Sequence, residues 1–103
     1  MSYIIQGIQH IGIAVSDMDA SLKLYRKLFG LDMPFFDAVA PAPLMKSHCN
    51  GETIVKRASM VLNHQGGSAV EVISPTSFKP QGAVFNVRQG DLGIGSVMLK
   101  TPD

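Results

Sequence analysis

The segment from 8 to 15 alternates apolar residues between two faces. Ile11, Ile13 and Val15 fall on one face, and mainly small or apolar residues fall on the other. A period of two residues with β-branched side chains is typical of a strand. We therefore predict a first strand here, and we expect it to be covered on both faces.

A change to helical spacing follows this strand. Ser16 is expected to cap the helix, with Asp19 three residues later as its capping-box partner. Gly30 supplies a left-handed stop. The spacing predicts a helix over about 18–29 that packs four residues onto a sheet: Met18, Leu22, Tyr25 and Phe29.

The remainder of the chain contains three further strand patterns. The stretch from 31 to 42 contains Pro34 and Pro41, which permits a short or irregular strand but argues against a long central one. Residues 53–62 and 68–73 are rich in strand-forming residues and follow turns at 48–52 and 63–67. The sequence thus predicts an α+β fold of the βαβββ type, with a mixed, curved sheet of about four strands and one main helix.

An internal repeat indicates how the chain is organised. Residues 7–17 align with residues 93–103, and glycine, isoleucine and aspartate match at three positions. When a structural unit is repeated along a chain, the second copy is expected to begin with the same first element. We predict a module over 1–75, a linker over 76–91 and, over 92–103, the opening strand of a second, truncated module.

Composition narrows the class of protein. Apolar residues make up 46% of the chain and charged residues 17%, with a net charge of +1, which gives no indication of a nucleic-acid or membrane partner. Apolar stretches are far shorter than a membrane-spanning helix needs. The single cysteine, Cys49, cannot form an internal disulfide. We expect a soluble, cytoplasmic protein.

Two polar residues interrupt apolar strands and are candidates for chemistry. Glu71 lies within an apolar strand, where a carboxylate needs a partner, exposure to water or a metal ion. A salt bridge to Arg57 and an edge position facing water are the alternatives to a functional role. His10 has a similar setting, and imidazole with carboxylate is a ligand set for divalent transition metals. His48 and His64 fall in the turns and are not interpreted as ligands.

Residues 7–17, which read GIQHIGIAVSD, together with Leu24-Tyr25 and the segment 28–31, resemble the opening of a known module. Val70-Glu71-Val72 resembles the last strand of that module. The family is the glyoxalase, bleomycin resistance and extradiol dioxygenase superfamily, also called the vicinal-oxygen-chelate superfamily. The resemblance implies that two βαβββ modules face each other and that a divalent metal in their cleft binds two substrate oxygens.

The resemblance also implies roles for particular residues. His10 and Glu71 would be metal ligands, and Glu71 is the candidate catalytic base; the metal would be Zn, Ni, Fe, Mn or Co. The expected function is that of a lyase, an isomerase or a ring-cleaving dioxygenase acting on a small oxygen-chelating substrate. Ser96 stands where the second module usually has histidine, which favours the alternatives of metal-free small-molecule binding or an inactive scaffold half. We expect a homodimer or a strand-exchanged oligomer, because a single module leaves a sheet edge unpaired.

Overall fold

A computed structural model describes residues 2–5, 7–66, 68–91, 93–94 and 96–100 of the protein. Its elements are, in chain order, β1 (His10–Ala14), α1 (Met18–Phe29), β2 (Met33–Ala42), a short 3-10 helix (Pro43–His48), β3 (Ile54–Leu62) and β4 (Ala69–Pro75). This order confirms the predicted α+β fold of the βαβββ type.

The four strands form one mixed sheet in the order β1-β4-β3-β2. The first strand lies parallel to the last, with His10 opposite Ala69 and Gly12 opposite Glu71. The other two pairings are antiparallel. The topology therefore brings residues from the two ends of the module onto neighbouring strands.

Helix α1 begins at Met18 as predicted, but its N-cap is Asp17, one residue after the cap that the sequence suggested. The side chain of Asp17, in an extended conformation, accepts a hydrogen bond of 2.9 Å from the backbone N–H of Ala20. The prediction that Ser16 caps the helix is therefore wrong. Gly30, with φ 61°, ends the helix in the left-handed conformation as predicted.

The core lies between α1 and one face of the sheet. Its buried residues are Met18, Leu31, Val61, Val70 and Val72, and Leu22 and Tyr25 of the helix pack against them. The predicted packing of Phe29 onto the sheet is wrong. Its side chain lies at the last helical position, 42% exposed, and its ring stacks on Tyr25 with 6.1 Å between ring centroids.

Strand β1 is covered on one face only. Ile11, Ile13 and Val15 pack against the core as predicted, but His10, Gly12 and Ala14 are exposed. The expectation of cover on both faces is wrong, because α1 packs on the opposite side and β1 is the first strand in the sheet order.

Strand β2 is longer than expected. It runs for 10 residues along the other edge of the sheet, with a shift in register between Pro34 and Phe36. Prolines are tolerated at an edge because no second neighbour needs their missing N–H. The prediction allowed an irregular strand and excluded only a long central one, and the edge position and the register shift confirm it. The full length of β2 was not predicted, because strand order, which decides what a proline costs, is not visible in the sequence.

Residues 76–91 contain no helix or strand. Within the proposed second module, Ile94, Ser96 and Val97 lie beside β1 and no strand is assigned to the described residues; Leu92, Gly95 and residues 101–103 lie outside them. The second module thus stays a prediction. None of the helices in the described ranges is long and apolar enough to span a membrane.

Candidate metal centre

The face of the sheet opposite α1, called here the open face, carries both candidate ligands. Glu71 in β4 lies opposite Gly12 of β1 on one side and Met60 of β3 on the other. Alternation along β4 places Val72 in the core, so Glu71 faces the other way. His10 shares a face with Gly12 by the same alternation, and it therefore lies diagonally beside Glu71.

The two side chains meet across the strands. Nε2 of His10 lies 3.4 Å from Oε2 of Glu71, with the imidazole 38% exposed and the carboxylate 18% exposed. The glutamate is thus partly withdrawn from water and has one neighbour that can carry positive charge. That neighbour is His10, and its Nε2 is also an atom that can bind a metal cation.

The alternative partner, Arg57, lies on the opposite face of the sheet. It forms a bidentate ion pair with Asp37 of β2, at 2.7 and 2.9 Å, and a bond of 2.9 Å to Asp19 of α1. Asp19 therefore binds Arg57 and does not complete the predicted capping box. Hydrogen bonding to Asp37 raises the pKa of Arg57, and the same contact holds the pKa of Asp37 below its ordinary value. The suggested salt bridge between Arg57 and Glu71 is wrong.

Gln9 also contributes to the candidate site, although it was not among the site residues predicted from the sequence. Its Oε1 faces Nδ1 of His10 in a hydrogen bond, and its Nε2 lies 4.0 Å from the sulfur of Met60. An oxygen at Nδ1 favours the tautomer with a proton there, which leaves the Nε2 lone pair directed at Glu71. An amide next to a strand histidine could have indicated this role, but the direction of the side chain outside a regular strand could not be predicted.

The geometry of the pair fits a shared metal ion. With bonds of about 2.0–2.2 Å in a tetrahedral site, two ligand atoms lie about 3.3–3.6 Å apart. The separation of 3.4 Å between Nε2 of His10 and Oε2 of Glu71 falls in that range. A neutral imidazole nitrogen and a carboxylate oxygen are ligands that zinc, iron, nickel and similar ions accept.

The pair forms only half of a usual ligand set. Within the described ranges, no three or more His, Cys, Asp or Glu residues cluster in a way that could hold a metal ion, so His48, Cys49 and His64 do not join the pair. Two ligands bind a metal weakly, and a complete site would need further ligands.

An open cavity of about 420 Å³ lies beside His10. Its walls include Ile8 and Ser68 at the sheet end and the segment 97–100. The volume lies within the range of small-molecule sites, which are about 300–1,000 Å³.

Fold and site define an α+β module with a histidine and a glutamate side by side on an open sheet face. The sequence model of the Glyoxalase/Bleomycin resistance protein/Dioxygenase superfamily matches residues 7–86. The chain belongs to this superfamily.

A solved structure agrees with the fold. A glyoxalase family protein from Bacillus cereus superimposes with a TM-score of 0.69 at 11% sequence identity, over 89% of this chain. The chain covers 60% of the length of that structure. No curated protein matches the chain.

Proposed function

We propose that the chain is one module of a divalent-metal-dependent enzyme of the superfamily, of the lyase or isomerase type or a ring-cleaving dioxygenase, acting on a small substrate with two adjacent oxygens. The observation that carries the proposal is the 3.4 Å separation of His10 Nε2 and Glu71 Oε2 on the open face. Zn, Ni, Fe, Mn or Co would each suit a nitrogen and oxygen ligand pair.

Each residue of the site has a proposed role. His10 binds the metal through Nε2, and Gln9 holds its ring by accepting a hydrogen bond from Nδ1–H. Glu71 binds through Oε2, and we assign to its Oε1 the role of taking a proton from the substrate. When bound, the metal supplies Lewis-acid stabilisation of negative charge on substrate oxygen.

The missing ligands would come from a second copy of the chain or from a further module. β1 is an edge strand of the sheet, and the chain just before it carries Ile4, Ile5 and Ile8, which are 75–94% exposed. Exposed apolar side chains near an edge strand favour association with another chain. We therefore propose a homodimer or a strand-exchanged oligomer, in the cytoplasm, as the functional form.

A metal-free binding module or an inactive scaffold half is the second candidate. Ser96 favours it, because a hydroxyl is a poor ligand for these metals, and it occupies the position where the resemblance leads one to expect a histidine. In that case His10 and Glu71 would bind the substrate directly by charge and hydrogen bonds.

Calorimetric titration with zinc tests the proposal. The parent should bind zinc, and both His10→Ala and Glu71→Gln should weaken binding by at least tenfold, because each removes a ligand. His64→Ala, which changes an exposed turn residue, is the matched control and should bind like the parent. Equal uptake by all four proteins would favour the metal-free alternative.

A further inference from the structure

A second cavity lies between α1 and the edge strand β2, on the side of the sheet opposite the open face. It is called here the helix groove, and its volume is about 290 Å³. Its deeper lining is formed by Leu22, Leu31, Ser59 and Val61, and its rim carries charged side chains. Because a cavity of about 150 Å³ can hold benzene, the groove has room for a ligand with one ring.

Ser59 is the polar residue in the deeper lining. Val61 lies in the core, and Ser59 precedes it by two residues in β3, so the two side chains share the face that α1 covers. Ser59 is only 1% exposed. A hydroxyl at such a position normally has a hydrogen-bond partner, because its burial is otherwise unfavourable.

The hydroxyl of Ser59 has no such partner among the described residues. Its neighbours across the strands are Val72, which has no polar side-chain atom, and Asp37, whose two carboxylate oxygens are both bound by Arg57. Every fully shielded side-chain oxygen in the described ranges does have a partner. The oxygen of Ser59 is therefore still reachable, and the cavity that Ser59 lines gives access to it.

The rim of the helix groove carries more positive than negative charge. Lys23 and Arg26 lie three residues apart on α1, so they project from the same side of the helix, and both line the groove. Asp32 and Asp37 line the opposite rim, but the charge of Asp37 is balanced by Arg57. Lys23 and Arg26 thus outnumber Asp32, and the rim favours an anion.

We propose that the helix groove is a second small-molecule site, which binds a small organic carboxylate with a ring-sized apolar body and one oxygen remote from the carboxylate. The carboxylate pairs with Lys23 and Arg26 at the rim, and the apolar body contacts Leu22 and Val61. The remote oxygen forms a hydrogen bond with the hydroxyl of Ser59. The site shares no residue with the candidate metal centre, so its occupation requires no metal.

Three related ligands test the proposal in the metal-free full chain. para-Hydroxybenzoate has both polar ends, benzoate lacks the remote oxygen, and para-hydroxybenzamide lacks the charge. para-Hydroxybenzoate should shift the backbone NMR signals of Ser59 and Val61 with millimolar affinity. Each of the other two ligands should bind about fivefold more weakly, as expected for the loss of one hydrogen bond or of partly exposed ion pairs.

Two variants remove the two ends of the site separately. Ser59→Ala should abolish the preference for para-hydroxybenzoate over benzoate. Lys23→Gln combined with Arg26→Gln should abolish the preference over the amide. Ser74→Ala, at a serine that is 8% exposed and lies outside the groove, and Lys27→Gln, at an exposed residue of α1 outside the groove, are the matched controls and should bind like the parent.

The proposal is overturned if para-hydroxybenzoate leaves the signals of Ser59 and Val61 in the parent unchanged, or if the three ligands bind equally. Preferences that survive in the corresponding variants would also overturn it. The variant at Lys23 and Arg26 changes only exposed side chains, so it decides the question even where Ser59→Ala fails to fold.

Discussion

Replacing Val72 with alanine should be one of the most destabilising conservative changes in the chain. Val72 is 0% exposed and lies in the core cluster beneath α1. The change removes two buried carbons, which cost about 1.6 kcal/mol in transfer free energy at about 0.8 kcal/mol each. The residual cavity adds to this, so the free energy of unfolding should fall by about 2–3 kcal/mol.

Urea unfolding, followed by circular dichroism, measures this loss against a matched control. Val39→Ala makes the same chemical change on β2 at a side chain that is 60% exposed, and it should cost less than about 0.5 kcal/mol. Equal losses in the two variants, with unchanged slopes in urea, would refute the placement of the core. The burial of Val72 also determines the face on which Glu71 lies. A register shift of one residue in β4 would move Glu71 into the core and Val72 onto the open face.

Three further changes test local contacts. Asn63→Ala should lower stability by about 1 kcal/mol in the same urea assay, because its side chain bonds a carbonyl at the end of α1 and an N–H of the β3–β4 turn; an unchanged midpoint would contradict this. The lowered pKa of Asp37 means that its bond to Arg57 stabilises the fold above the ordinary carboxyl pKa, and that this contribution is lost as pH falls through the lower folded value. In Asp37→Asn the free energy of unfolding should therefore fall by roughly 0.5–1 kcal/mol less between neutral and acidic pH than it does in the parent. An identical dependence on pH in the two proteins would refute the contribution. Gln9→Met should weaken zinc binding about tenfold by releasing the ring of His10, and unchanged affinity would remove Gln9 from the site.

Local signals in the sequence were sufficient for most of the fold. The helix over 18–29 and its stop at Gly30 were predicted with their observed bounds, because spacing and a left-handed glycine act within one turn. The length of β2 and the exposure of one face of β1 were not, because both depend on strand order. The N-cap is Asp17 and not Ser16. Serine and aspartate both suit that position, so the residue types alone could not decide between these two neighbours.

The candidate site could be anticipated in part. His10 and Glu71 stood out because each is polar within an apolar strand, and the structure brings them to 3.4 Å. The contact of Gln9 could not be read from spacing, because Gln9 precedes the regular strand. The pairing of Arg57 with Asp19 and Asp37 was also hidden, since it joins three elements that lie far apart in the chain.

The most direct test of the proposed metal site is a crystal structure of the zinc-loaded protein with data collected at the zinc absorption edge. The account predicts one anomalous peak within about 2.0–2.2 Å of both Nε2 of His10 and Oε2 of Glu71, with the remaining ligands supplied by another chain or by water. A peak at any other residues, or no peak at this pair in crystals soaked with excess zinc, would contradict it.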